Sequence, residues 1–131
     1  MKSESEGVRG QVFWLEGNQM PTISEDGSQV RKGKQAIQRT IIIYPLTKLE
    51  DAQLVDGLFK SLATDPIKEV TTDENGNFSL KLEPGAYSFF TKEEEGLFAN
   101  RFDTEGNIQP VYISKGEWTE LEILVDYKAA Y

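Results

Sequence analysis

Two short stretches set oxygen-bearing side chains at alternate positions around a glycine: Asp73-Glu74-Asn75-Gly76-Asn77 and Asp103-Thr104-Glu105-Gly106-Asn107. Carboxylate and carboxamide oxygens in such an array are the ligands a hard cation such as calcium takes. An EF-hand loop, however, needs its glycine sixth and a bidentate Glu twelfth, whereas Gly76 falls fourth from Asp73. A turn is the simpler account of both stretches, because Gly and Asn accept the positive φ that a chain reversal requires. Calcium is therefore a weak expectation, and no other cofactor is implied. Glu93-Glu94-Glu95 is a third acidic group, expected in a solvent-facing loop that could join such a site.

Other chemistries are excluded by residue type. The chain has no histidine and no cysteine, so it offers no Ser-His-Asp triad, no cysteine nucleophile and no His-bearing zinc site. No Walker loop is present, and no glycine cluster opens a βα unit to cradle a dinucleotide. A hydrolase built on two carboxylates needs only a pair at the right separation. With 22 acidic residues such pairs arise by chance, and a solvated acidic face is the simpler reading. No catalytic residue is assigned, and the expectation is a protein that is not an enzyme. Asn77-Phe78-Ser79 matches a glycosylation sequon, but it opens a strand and is not expected to be modified.

The formal net charge of −8 disfavours nucleic acids and anionic membranes, since affinity for phosphates depends on Lys and Arg displacing counterions. The densest basic group, Arg31, Lys32 and Lys34, is small. The longest apolar run, Ile41-Ile42-Ile43, is far short of the ~20 residues of a membrane helix. The polar opening, residues 1–6, reads as a leash ahead of one domain at 7–127, with 128–131 as a tail. If Met1 replaces an export segment, the protein belongs in the envelope or periplasm; if Met1 is its natural start, in the cytoplasm.

The elements that must position any site are strands. Val8, Val12 and Trp14 alternate with Arg9 and Gln11; Phe78, Leu80 and Leu82 with Ser79 and Lys81; Leu121, Ile123, Val125 and Tyr127 with Glu122 and Asp126. Strands are expected at 7–15, 36–45, 67–72, 76–82, 86–92, 108–114 and 117–127. Turn residues divide them every 8–12 residues or so, which predicts an all-β, seven-stranded antiparallel sandwich. Residues 16–35 read as a long loop. Within 49–63, Leu54, Val55, Leu58, Phe59 and Leu62 recur at helical spacing and predict a short helix, with an extended excursion as the alternative; Gly57 costs the helix about 1 kcal/mol.

Binding candidates follow from parity and loop position. Trp14 shares the core parity of Val8 and Val12, whereas Trp118 has the opposite parity from Leu121 and Ile123 and is a candidate stacking platform. Segment 96–107 puts Phe98, Asn100, Arg101 and Phe102 at a sandwich end, where loops often carry function. Phe98, Asn100, Arg101 and Trp118 are the predicted binding residues; in the alternative, Phe98 and Phe102 plug the core.

Gly7-Val8-Arg9-Gly10-Gln11-Val12, Ala36 to Tyr44, Thr72-Asp73-Glu74-Asn75-Gly76-Asn77-Phe78-Ser79-Leu80 and Glu83-Pro84-Gly85-Ala86-Tyr87 together resemble the carboxypeptidase regulatory-like domain. The resemblance runs from Gly7 to Val125 and implies a transthyretin-like, Greek-key sandwich without peptidase chemistry. Phe89 to Phe102 and the ending Val125 to Tyr131 resemble short stand-alone envelope proteins of Bacteroidetes. That likeness implies a lipoprotein anchored through a Cys ahead of Lys2, with an envelope protein or glycan as partner. Docking by addition of an edge strand is the alternative function. In the sequence alone, Asn75-Gly76 suits a hairpin reversal, and Tyr87 is placed to bury its ring while its hydroxyl bonds turn backbone.

Overall fold

Val8 and Val12 face one way along a strand while Arg9 and Gln11 face the other, and this alternation builds most of the molecule. The computed structural model describes residues 6–18, 22–23, 29–30 and 34–130. In chain order these form β1 (Gly7–Asn18), β2 (Thr22–Ile23), β3 (Gln29–Val30), β4 (Gln35–Ala36) and β5 (Thr40–Pro45). A single 3-10 turn (Leu49–Asp51) leads to β6 (Ala52–Val55), β7 (Leu58–Leu62), β8 (Lys68–Thr71), β9 (Asn77–Lys81) and β10 (Gly85–Glu93). The last three are β11 (Gly96–Phe98), β12 (Pro110–Ile113) and β13 (Trp118–Ala130). Among the described residues no helix is long and apolar enough to cross a membrane.

Two sheets form an all-β sandwich. In the first, β1 lies between β13, which runs parallel to it, and β9 and β4, which pair antiparallel with it end to end. The second has the order β6-β7-β11-β10-β5-β8, with β12 pairing the start of β10 where β11 pairs its end. Among the described residues β2 and β3 pair with each other alone. The main core joins Val8, Val12, Phe78, Ile123 and Val125 of the first sheet to Ile41, Ile43, Phe89, Phe98 and Val111 of the second. Phe90, opposite in parity to Phe89, packs on the other face of the second sheet with Phe59, Ala99 and Ile108. A strand with both faces covered reads as an unbroken apolar run, as at Ile41–Ile43.

Several expectations need correction. Among the described residues thirteen strands replace the seven predicted, and β1 pairs with β13 in parallel rather than antiparallel fashion. The predicted strand 36–45 breaks at 37–39 because the chain leaves the first sheet at β4 and joins the second at β5. The short helix predicted in 49–63 is instead the β6–β7 hairpin. Asp56 and Gly57, with φ of 54° and 85°, are both left-handed, as a two-residue turn requires and a helix forbids. Leu58 enters the main core and Phe59 the outer cluster, and two apolar faces on one strand imitate helical spacing. The predicted loop 16–35 holds the end of β1, β2 and β3, and its remainder to residue 33 lies outside the described residues. The leash, apart from Glu6, lies outside them too, while Lys128–Ala130 continue β13.

Turn residues here mostly carry the chain between sheets. Asp73–Asn77 joins β8 of the second sheet to β9 of the first, so it is an inter-sheet corner and not a hairpin. Gly76 has φ 80°, and a Cβ there would lie 2.5 Å from the Val12 carbonyl oxygen. The next corner carries the chain back from β9 to β10. Tyr87 packs its ring on the main core and donates its hydroxyl to the Glu83 carbonyl at 2.6 Å, as the sequence predicts.

Gly10 pairs with Leu121, and a Cβ on it would lie 1.7 Å from the Leu121 carbonyl oxygen. Gly10→Ala is expected to lose about 3 kcal/mol or more in urea denaturation, since backbone cannot yield as a side chain does. Gly57→Ala, which meets no atom within 4 Å, should lose only the ~1–2 kcal/mol of a left-handed residue. Equal losses would refute the close approach of β1 and β13.

Candidate functional site

Along β10 the side chains of Phe89, Thr91 and Glu93 share one parity, pointing between the sheets. The first two are buried in the core; the third carries a charge to its end. Opposite it the first sheet contributes Trp14 from β1 and Tyr127 from β13, and the 37–39 link contributes Arg39. Arg39 Nε donates to both carboxylate oxygens of Glu93, at 3.1 and 3.2 Å. The Tyr127 hydroxyl donates to Glu93 Oε1 at 3.0 Å. The Glu93 side chain is 1% exposed and that of Arg39 29%.

Packing fixes this triplet. The Arg39 guanidinium lies over the Trp14 ring, 5.2 Å from its centroid. Tyr127 meets Trp14 edge-on at 5.7 Å, and Phe98 packs against Tyr127 at 5.2 Å. The Arg39 backbone N–H donates to Thr72 Oγ1 at 2.9 Å, and Nη1 donates to the Gln38 carbonyl at 3.2 Å. Arg39 Nη2 has no acceptor among the described residues. Above the triplet opens a cleft of about 350 Å³ lined by Trp14, Arg39, Lys92, Glu93, Glu94 and Tyr127.

A carboxylate removed from water loses several kcal/mol of solvation, which only close charge-assisted bonds offset. The phenol of Tyr127 is pushed up to about 12 by burial first, then by its hydrogen bond to Glu93 and that carboxylate's negative charge. With the phenol protonated and donating, and Arg39 donating twice, the carboxylate's oxygens are held by the protein itself. Such an arrangement is built to keep its geometry. What it turns toward the cleft are the remaining donors of Arg39 with Lys92 and Glu94.

The residues singled out in the sequence lie elsewhere or serve as support. Phe98 is buried beneath Tyr127. Asn100 Nδ2 donates to the Leu124 carbonyl at 3.1 Å and to Asp126 Oδ1 at 2.9 Å, pinning β13 just before Tyr127. Arg101 is exposed, its carbonyl accepting the Gln109 N–H at 2.6 Å. Trp118 is half-buried at the opposite end of β13, with the Arg9 guanidinium 5.9 Å from its ring centroid. The four do not form one surface. Phe102, read as a core plug beside Phe98, is exposed.

Both aspartate loops hold themselves. Asp73 Oδ1 accepts the N–H groups of Asn75 and Asn77, each at 2.9 Å. Asp103 Oδ1 does the same for Glu105 and Asn107, again at 2.9 Å. Asn107 Nδ2 adds a bond to Asp103 Oδ2 at 2.8 Å, and that bond chiefly holds the Asp103 carboxyl below its ordinary range. Among the described residues no three acidic side chains come together as a metal site. Glu93, assigned from the sequence to a solvent-facing loop, is instead the buried end of β10. Its parity with Phe89, and that of Tyr127 with Ile123 and Val125, was the available signal.

Two measurements test the triplet. Tyr127→Phe should cost about 1.5–3 kcal/mol at neutral pH, as loss of a hydrogen bond to a charged group does. The phenol is raised in the folded state, so its contribution is complete below an unfolded value of ~10 and fades as pH climbs through the folded one. The deficit of the variant should therefore narrow between those values, and a deficit constant with pH would refute the bond. Arg39→Ala strands a buried carboxylate and should lose about 3 kcal/mol. The paired change Arg39→Met with Glu93→Leu should lose less than Arg39→Ala; additive losses would mean that the two side chains do not interact. Comparison with protein-family models, curated proteins and solved structures returns no match for this chain.

Proposed function

We propose that this chain is a non-catalytic module of the cell envelope that presents a binding surface to an envelope protein or glycan, with the Arg39–Glu93–Tyr127 cleft as its recognition site. The observation that carries the reading is a polar set held rigid by burial beside an open cleft. Glu93 and Trp14 fix the guanidinium, so little side-chain entropy remains to be lost when a ligand arrives. A guanidinium, an ammonium and a carboxylate around one opening suit the adjacent hydroxyls of a sugar or a polar side chain of a protein. The size of the cleft fits one such group.

Envelope location rests on the likeness of Phe89 to Phe102 and of the ending to short envelope proteins. On the same footing, the sandwich is read as a transthyretin-like Greek key of the carboxypeptidase regulatory-like type, lipid-anchored through a Cys ahead of Lys2. A second reading, docking by strand addition, is favoured by the outer edge of β6, which no strand pairs among the described residues.

The test is equilibrium binding of envelope polysaccharide fragments and detergent-solubilised envelope proteins to the intact protein. Lys92→Ala and Glu94→Gln, both exposed and outside the buried triplet, are expected to weaken binding about fivefold or more. Trp118→Ala should leave it unchanged. Saturable turnover of a substrate, or binding that survives both rim changes, would overturn the proposal.

A further inference from the structure

The exposed edges of the sandwich are not treated alike. Edge strands invite pairing, and proteins blunt them with charges, plugs or cover. On β13 the Leu124 carbonyl is capped by Asn100 Nδ2. β8 carries Lys68 and Glu69, and Lys68 Nζ reaches the Lys81 carbonyl at 3.0 Å. β6 ends the second sheet with Ala52, Gln53, Leu54 and Val55, a strand without charge or proline. Leu54 is 51% exposed and Val55 39%.

The hairpin register fixes which backbone groups are free. Val55 opposes Leu58 across the two-residue turn, so its N–H and C=O point inward. Those of Leu54 therefore point outward, by the alternation of an antiparallel ladder. Ala52 spends its N–H on the Leu49 carbonyl. The open edge is thus short and centred on Leu54, enough for a few residues of an added strand.

Charge selects the occupant. Glu50 and Asp51 precede the apolar pair and Asp56 follows it, on a chain of net charge −8. Two copies paired antiparallel with Leu54 opposite Ala52, a register the alternation allows, would set Glu50 against Asp56 at both ends with Asp51 beside it, and like charges directly opposite are unfavourable. A strand with Lys or Arg at those positions would be attracted instead.

We propose that β6 is a docking edge for an extended, basic segment of a partner protein. That segment pairs its backbone with Leu54, stacks apolar side chains beside Leu54 and Val55, and sets Lys or Arg against Asp51 and Asp56. This mode is independent of the Arg39–Glu93 cleft.

The probe is a blocked peptide, Lys-Thr-Val-Thr-Ile-Lys, compared with the same peptide carrying Glu in place of Lys. Amide hydrogen exchange of the full chain should show the Leu54 N–H slowed by the Lys peptide and unaffected by the Glu peptide. Leu54→Pro removes the outward donor while sparing the inward bonds, and should weaken binding about fivefold to tenfold, one hydrogen bond's worth. Asp51→Asn with Asp56→Asn, which keeps a residue tolerant of the turn, should abolish the preference for Lys and the salt dependence. Lys92→Ala, which is expected to weaken binding at the cleft, should leave binding of the Lys peptide at β6 as it is, so failure of the cleft reading is read separately. An unslowed Leu54 amide at millimolar Lys peptide, or equal binding of both peptides, would overturn the proposal. A dimer in sedimentation with Leu54 already protected would overturn it in favour of a second copy.

Discussion

The parallel pairing of β1 with β13 is the constraint on which the rest depends. It joins strands from opposite ends of the chain, and at Gly10 it leaves no space for even a methyl group. It also decides what reaches the cleft. Trp14 pairs with Val125, but Glu16 pairs with Lys128, so β13 carries one residue more than β1 over this stretch. A bulge of this kind bends a strand and re-aims its side chains. Tyr127 lies within it, edge-on to Trp14 and bonded to Glu93. Asn100 holds the β13 backbone immediately before the bulge, so a residue of the link that follows β11 sets the position of a residue in the first sheet.

Corners carry the same logic through the remainder of the fold. The chain passes between sheets at 37–39, 72–76, 82–84 and 114–117. Each crossing exposes backbone groups that no ladder can satisfy, and side chains step in. Thr72, buried at one corner, accepts the Arg39 N–H. Asp73 takes two N–H groups of its own loop, and Tyr87 donates back to Glu83. The first of these corners therefore does double duty, since the bond from Arg39 to Thr72 also aims the guanidinium at Glu93.

The strands were legible wherever one face meets the core and the other meets water. Val8 to Trp14, Phe78 to Leu82 and Leu121 to Tyr127 alternate, and their faces are as parity predicts. Legibility failed where both faces are covered. Leu58 and Phe59 belong to different clusters on opposite faces of the second sheet, and the outer cluster forms only because segment 99–109 folds back over that sheet. No local pattern encodes that return. The cleft was hidden for a related reason. Glu93 sits among three consecutive glutamates, and a charge run ordinarily means solvent, yet its parity with Phe89 placed it inside. Recognising it needed Arg39, 54 positions away, as its partner.

Stability alone gives a poor reason for that partner. Replacing a buried ion pair with apolar side chains of similar volume is commonly neutral or stabilising, because the desolvation of two charges offsets their attraction. One step along the same row, the Thr91 hydroxyl is buried without a hydrogen-bond partner among the described residues, itself a cost of about 1–3 kcal/mol. The inner face of β10 therefore turns polar before the sandwich ends, where valine and leucine would have served the core better. Violations of packing consistency concentrate where a protein does something besides fold. That cost, borne beside an open cleft and braced by Trp14, Tyr127, Phe98 and Asn100, is the physical argument for looking to this end of the molecule for its function.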